Sequence, residues 1–218
     1  MKVSVRPELK MVYPGGVFRS LAVREVTNMR QHNGLENVKR LIEKRIRDEY
    51  PEPRDDSVIM SYGEYFARWG KTYPIQFQIR SIKSGKTFSK ISALVDCMFM
   101  AELKNRVLTS GHDQDRVEGS LVFDLADEGE VYTKLGGMSQ ALDRGDIVLR
   151  DGDGVLASVL YGPAQRTSVS TGTCNPLYLA WCPGGVELEL IQSHLADIVG
   201  YLGVVYGEIR YDAMCPLD

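Results

Sequence analysis

Apolar residues recur at helical spacing through the first half of the chain and in short runs broken by turns through the second. Residues 17–27 read as a strand, with Phe18, Leu21, Val23 and Val26 in loose alternation. A helix is predicted from Asn33, where Asn33 and Glu36 have the spacing of a capping box. Leu35, Val38, Leu41, Ile42 and Ile46 line one of its faces, and Lys39, Arg40, Lys44, Arg45 and Arg47 the other. Pro51 and Pro53 end it. A second helix, 57–69, carries Tyr62, Tyr65, Phe66 and Trp69. A third runs through Ile75, Ile79 and Ile82 to Ser84-Gly85. A fourth carries Ile91, Leu94, Val95, Met98, Phe99 and Leu103, a stripe that reads as core.

After Gly111 the period shortens. Apolar runs at 121–125, 131–135, 147–150, 155–161, 167–170 and 177–182 are separated by breaks such as Arg144-Gly145-Asp146 and Asp151-Gly152-Asp153-Gly154, the rhythm of an antiparallel meander. A last helix is predicted over 186–202 and a short strand over 208–211. The class is α+β: N-terminal helices, then an antiparallel core that forms a partly open β-barrel-like structure or a sandwich, and a packed C-terminal helix.

Composition narrows the function. With 218 residues, 44% hydrophobic and 25% charged, the chain suits one large soluble domain, 1–218, with a basic, mainly helical elaboration over 1–90 and a core over 91–218. No run approaches the length of a membrane span, and residues 1–10 lack the apolar stretch of a secretory signal, so a cytoplasmic protein is expected. Cys97, Cys174, Cys182 and Cys215 form no C-x-x-C pair, and His32, His112 and His194 lie at no metal spacing from them. The expectation is idle thiols, no metal and no cofactor. Net charge is −3, yet residues 1–90 hold 18 Lys/Arg against 10 Asp/Glu and the rest 8 against 19. Such a split suits either a polyanion-facing region or two solvated faces that attract each other. Arg80, Lys83, Lys86 and Lys90, with no acid between them, form the candidate phosphate-contacting cluster.

A series of motifs runs through the second half. It begins with Ser110-Gly111-His112-Asp113-Gln114-Asp115-Arg116-Val117-Glu118-Gly119. Glu128-Gly129-Glu130, Leu135-Gly136-Gly137 and Leu142-x-x-Gly145-Asp146-Ile147-Val148-Leu149-x-Asp151 follow. Val155-Leu156-Ala157-Ser158-Val159-Leu160-Tyr161-Gly162 and Thr173-Cys174-Asn175 complete it, with Leu94-Val95-Asp96 upstream. In order and spacing the series resembles the B3/4 editing domain of the phenylalanyl-tRNA synthetase β subunit, over about residues 90–205. The chain reads as a free-standing member.

The resemblance implies hydrolysis of tRNA carrying the wrong amino acid, with tRNA or aminoacyl-tRNA as partner. It makes His112 and Thr173 the candidate catalytic residues. Gly162, Arg166, Ser168, Ser170, Thr171, Asn175 and Leu179 become the candidate amino-acid wall. Cleaving a labile ester needs a positioned water and donors for the developing oxyanion, which hydroxyls can supply. Asp113 and Asp115 read either as an acid/base pair or as turn caps, and Arg166 either as an anion clamp or as a surface ion pair. Two departures stand out. Ser110 occupies the family's His position, with His112 in place of an aromatic, and Leu179 replaces the Glu that helps read the substrate. Leu179 implies an apolar pocket with a preference other than tyrosine. It also keeps open a non-catalytic module that binds tRNA, another RNA or a small amino-acid-like ligand. Thr173 and Arg166 are expected to face one cavity with His112 at its edge, and Asn175, Leu177 and Leu179 to share the face of Thr173.

Overall fold

The computed structural model describes residues 1–214; Cys215 lies outside them. The chain opens with β1 (Val3–Val5), α1 (Pro7–Val12), β2 (Val17–Arg24), α2 (Asn33–Glu49), α3 (Ser57–Ala67), α4 (Pro74–Lys83) and α5 (Ala93–Asn105). The second half supplies β3 (Thr109–Asp113), β4 (Leu121–Leu125), β5 (Val131–Thr133), β6 (Ser139–Ala141), β7 (Ile147–Asp151), β8 (Gly154–Ser158), β9 (Gly162–Pro163), β10 (Pro176–Cys182), α6 (Leu188–Tyr206) and β11 (Arg210–Met214). β1 and α1 carry no sequence signal beyond three alternating residues and one Pro.

The strands form two facing sheets. One has the order β1-β4-β7-β8-β9, parallel only at β1–β4; the other, β11-β2-β10-β3, is antiparallel throughout. Phe18 of β2 meets Phe123 of β4 across the gap, with ring centroids 4.8 Å apart. The sheets do not join at their edges, so the core is an open sandwich and not a barrel. β5 and β6 form a separate hairpin. The run at 167–170 is not a strand. It leaves a 3₁₀ turn, Gln165–Thr167, and touches β3 through one bridge, Ser168 to His112.

Helices cover the outer face of the four-stranded sheet. Tyr178 of β10 donates its hydroxyl to the Leu94 carbonyl of α5 at 3.0 Å. Leu195 and Ile198 of α6 are buried and Leu190 partly so. Among the described residues α6 is the one helix long and apolar enough to cross a membrane, at a mean hydropathy of 1.2. Here it packs on α5 and the sheet, and its Asp197 accepts from Lys104 at 2.6 Å and Asn105 at 2.8 Å.

α2 begins as read, but its N-cap is His32 and no side chain caps it. The Glu36 carboxylate is drawn to Lys39 at 2.8 Å and Lys90 at 3.0 Å, leaving the backbone N–H groups without it. Lys39 is therefore no solvated residue. It lies buried, its ammonium 2.6 Å from Asp96 of α5, whose carboxylate also takes the Ile91 N–H. That pairing lets a charge sit in the α2–α5 contact. α3 is capped by Asp56, which accepts from Val58 and Ile59 N–H. The aromatic face of α3 packs against β10, with the Tyr65 ring 4.8 Å from Trp181 and the Tyr62 ring 5.4 Å away.

Candidate functional site

The register of β10 decides what faces the gap between the sheets. Leu177 pairs with His112 and Leu179 with Ser110, and directly paired residues share a face. Ser110, His112, Leu177, Leu179 and Trp181 therefore point inward. A cavity of about 80 Å³ opens there, walled by Ser110, Leu179 and Trp181 on one side and by Phe123, Leu149, Ala157, Ser158 and Gly162 on the other. Among the described residues no titratable side chain lines it, but two inward-facing hydroxyls at its wall are each backed by one.

The first is Ser110. Its Oγ lies 3.0 Å from His112 Nε2, and Nδ1 of the same ring lies 2.9 Å from Thr167 Oγ1. His112 is wholly buried, and burial, with the nearby Arg166 charge, pushes it down to about 3. The ring is neutral across the working range. The second is Ser158, which donates to Asp146 and accepts the Tyr161 N–H at 3.0 Å. Asp146 is buried and also takes the Tyr65 hydroxyl. Burial raises its carboxyl to about 6, against the pull of the Ser158 and Tyr65 bonds. Gly145, at φ +84°, makes the turn that brings Asp146 inward.

The other candidates lie apart from this cavity. Arg166 grips Asp151 with two bonds, 3.0 and 2.6 Å, and donates to the Gly154 carbonyl. Thr173 precedes β10; its buried hydroxyl donates to Asp113 at 2.9 Å and accepts the Ser170 N–H. Asn175 bonds Asp115 and caps the Glu25 N–H. Asp113 also accepts the Asp115 N–H, so these two carboxylates tie the 170–175 turn to β3, as turn caps do. Ser168 bonds the Gln165 carbonyl, the Ser170 hydroxyl takes the Gly172 N–H, and Thr171 is exposed. The wall thus brings together Leu179 and Gly162, with His112 reaching it through Ser110. Asp146, Ser158 and Trp181 were not singled out from sequence. Asp146 sits in the Gly145-Asp146 motif, but no pattern distinguished a buried acid from a turn residue.

Of the cationic cluster, Arg80 and Lys86 are exposed, Lys83 pairs with Glu52 at 2.8 Å and Lys90 with Glu36. A wider groove of about 410 Å³ beside α4, lined by Phe77, Gln78, Ser81 and part of 87–91, holds no titratable group among the described residues. Among the described residues no group of three or more His, Cys, Asp or Glu could hold a metal ion.

Two facing sheets around a small apolar cavity with hydroxyls at its wall make an open sandwich of the α+β class. The chain belongs to the B3/4 domain family, whose sequence model matches residues 63–180. Its fold is similar to an N-terminal fragment of the phenylalanyl-tRNA synthetase β subunit from Pyrococcus horikoshii. The TM-score is 0.51 at 17% identity, over 96% of this chain and 50% of that one. The chain therefore spans about half the length of that fragment. No curated protein matches it.

Proposed function

We propose that this protein is a cytoplasmic editing module that frees a small aliphatic amino acid from mischarged tRNA. The observation that carries this reading is the cavity itself. Ser110, Leu179 and Gly162 converge on it, and the first two hold the positions of the His and Glu in the family resemblance. Its size supports the substrate class. An engineered apolar cavity of about 150 Å³ holds a benzene ring, so about 80 Å³ suits a short aliphatic side chain and not a phenol. The absence of a carboxylate at Leu179 points the same way. The hydroxyls of Ser110 and Ser158 stand at the wall to meet the polar part of the ester.

The tRNA would lie along the basic N-terminal portion, where Arg80 and Lys86 are exposed and Lys83 and Lys90 are held by acids. Arg166 and Thr173 would act on the site indirectly, by fixing the segment between β9 and β10 that holds Thr167 against His112. A second reading, a non-catalytic module that binds a small amino-acid-like ligand, is favoured by the lack of any titratable group at the cavity surface among the described residues. Deacylation assays over a panel of mischarged tRNAs separate the two. Hydrolysis of aliphatic esters supports editing, and ligand binding without turnover supports the module.

A further inference from the structure

We propose that Ser110 is the donor that reads the ester carbonyl oxygen, its hydroxyl hydrogen left free for the cavity by a one-way hydrogen-bond chain running Thr167 to His112 to Ser110. The inference rests on the reading of the cavity as an ester site.

The direction follows from counting buried hydrogens. A neutral imidazole donates from one nitrogen and accepts at the other. If Nδ1 carried the proton, Ser110 would donate to Nε2, and the Thr167 hydroxyl hydrogen would need another acceptor. Its side chain has no other polar partner among the described residues, and Thr167 is wholly buried. A stranded buried donor is the costlier arrangement. If Nε2 carries the proton, Thr167 donates to Nδ1 and Nε2–H donates to Ser110 Oγ, so every buried donor is met. The hydrogen left over belongs to Ser110, the member of the chain that is only partly buried and lines the cavity. Hydrogen bonds in series polarise one another, so Ser110 becomes a stronger donor than a lone serine.

The chain needs no base. His112 stays neutral because it is buried beside Arg166, which suits a fixed relay. Trp181, also at the cavity wall, buries an indole N–H with no acceptor among the described residues, a second donor of the same sign.

In the reaction, water adds to the ester carbon and the carbonyl π pair moves onto oxygen. Ser110 donates a hydrogen bond to that oxygen without giving up its proton. Collapse restores the carbonyl and expels the ribose oxygen, which takes the proton lost by the water. The products are the free amino acid and the ribose hydroxyl. Ser110 is the catalytic residue here, and His112 and Thr167 are positioning residues.

Nitrogen-15 histidine NMR of the full chain reads the direction independently of turnover. The Nε2–H tautomer is expected for His112, and the Nδ1–H tautomer overturns the proposal. In deacylation of valyl esters, Ser110→Ala should lower kcat by about 100-fold, the size typical of one lost oxyanion donor, with KM changed by no more than about twofold. An unchanged kcat overturns the assignment. Thr167→Val should lower kcat and disturb the tautomer, with Thr167→Ser rescuing both; a Thr167→Val protein with the wild-type tautomer and kcat counts against it. If the wild type cleaves no ester, the editing reading fails by itself. The donor is then tested with the non-hydrolysable 3′-valylamido-3′-deoxyadenosine, which Ser110→Ala should bind about tenfold more weakly, and equal binding refutes it.

Discussion

Filling the cavity should make the protein more stable and less active at once. Ala157 lies on β8 opposite Leu149 and forms part of the wall. Empty space of about 80 Å³, at roughly 24 cal/mol per Å³, corresponds to about 2 kcal/mol of stabilisation forgone. Ala157→Val adds two methyl groups at ~0.8 kcal/mol each when buried, so up to about 1.5 kcal/mol is recoverable. Valine also suits a strand. For a chain of this length that gain raises Tm by about 3–6 °C, at roughly 2–4 °C per kcal/mol. Denaturant titration and thermal melting read the stability; deacylation of valyl-tRNA reads the function, which should fall at least about tenfold as the side-chain space is lost. A variant that gains stability and keeps full activity would show that the cavity is a packing defect and the substrate binds elsewhere. A variant destabilised by more than about 1 kcal/mol would show that this wall is already filled.

Three further outcomes are expected. Leu179→Glu places an unpaired carboxylate in the apolar wall and should weaken an aliphatic ligand by at least about 1 kcal/mol in a protein that still folds; unfolding instead would put Leu179 in the closed core, and binding can be followed by calorimetry. Glu102 of α5, buried and bonded to the Thr109 N–H, is raised by burial to about 8, so the fold holds it protonated while the unfolded chain releases its proton near 4.5. Its contribution is complete below about pH 4.5 and lost as pH rises towards 8, and Glu102→Gln should flatten the decline by a few kcal/mol at ~1.4 kcal/mol per pK unit; a wild-type stability curve with no such decline would contradict it. Arg80→Ala with Lys86→Ala should flatten the log–log salt dependence of tRNA binding by about 0.7–0.9 for each phosphate no longer neutralised; filter binding at several salt concentrations that shows an unchanged slope would remove this cluster from the interface.

The helices and the long strands were legible because burial of one face imposes a period. The stripe Leu35, Ile42, Ile46 and the aromatic run Tyr62, Tyr65, Phe66 both lie in the core where their spacing put them. β1 was not legible: three residues carry too little pattern, and its parallel pairing with β4 joins segments far apart in the chain, Val3 to Leu121. The run at 167–170 misled for the opposite reason. Thr and Ser suit strands, yet Thr167 spends its hydroxyl on His112 and closes a 3₁₀ turn. The site was half legible. Motif order brought out Leu179 and Gly162, because strand register converts spacing into a shared face. Arg166 read either as an anion clamp or as an ion pair and Thr173 as a cavity residue, but their partners, Asp151 and Asp113, come from other strands and hold them. Asp146 and Ser158 were hidden because a buried acid held by two hydroxyls is built from three separate segments, 65, 146 and 158.

The central claim is tested most directly by single-turnover deacylation of tRNA charged with alanine, valine, isoleucine, phenylalanine or tyrosine. The account predicts release of the aliphatic residues well above the uncatalysed rate, tyrosine and phenylalanine left intact, and loss of the activity in Ser110→Ala. Hydrolysis of tyrosyl-tRNA in preference to the aliphatic esters would contradict the reading of the cavity, and no hydrolysis of any ester would contradict the proposed activity.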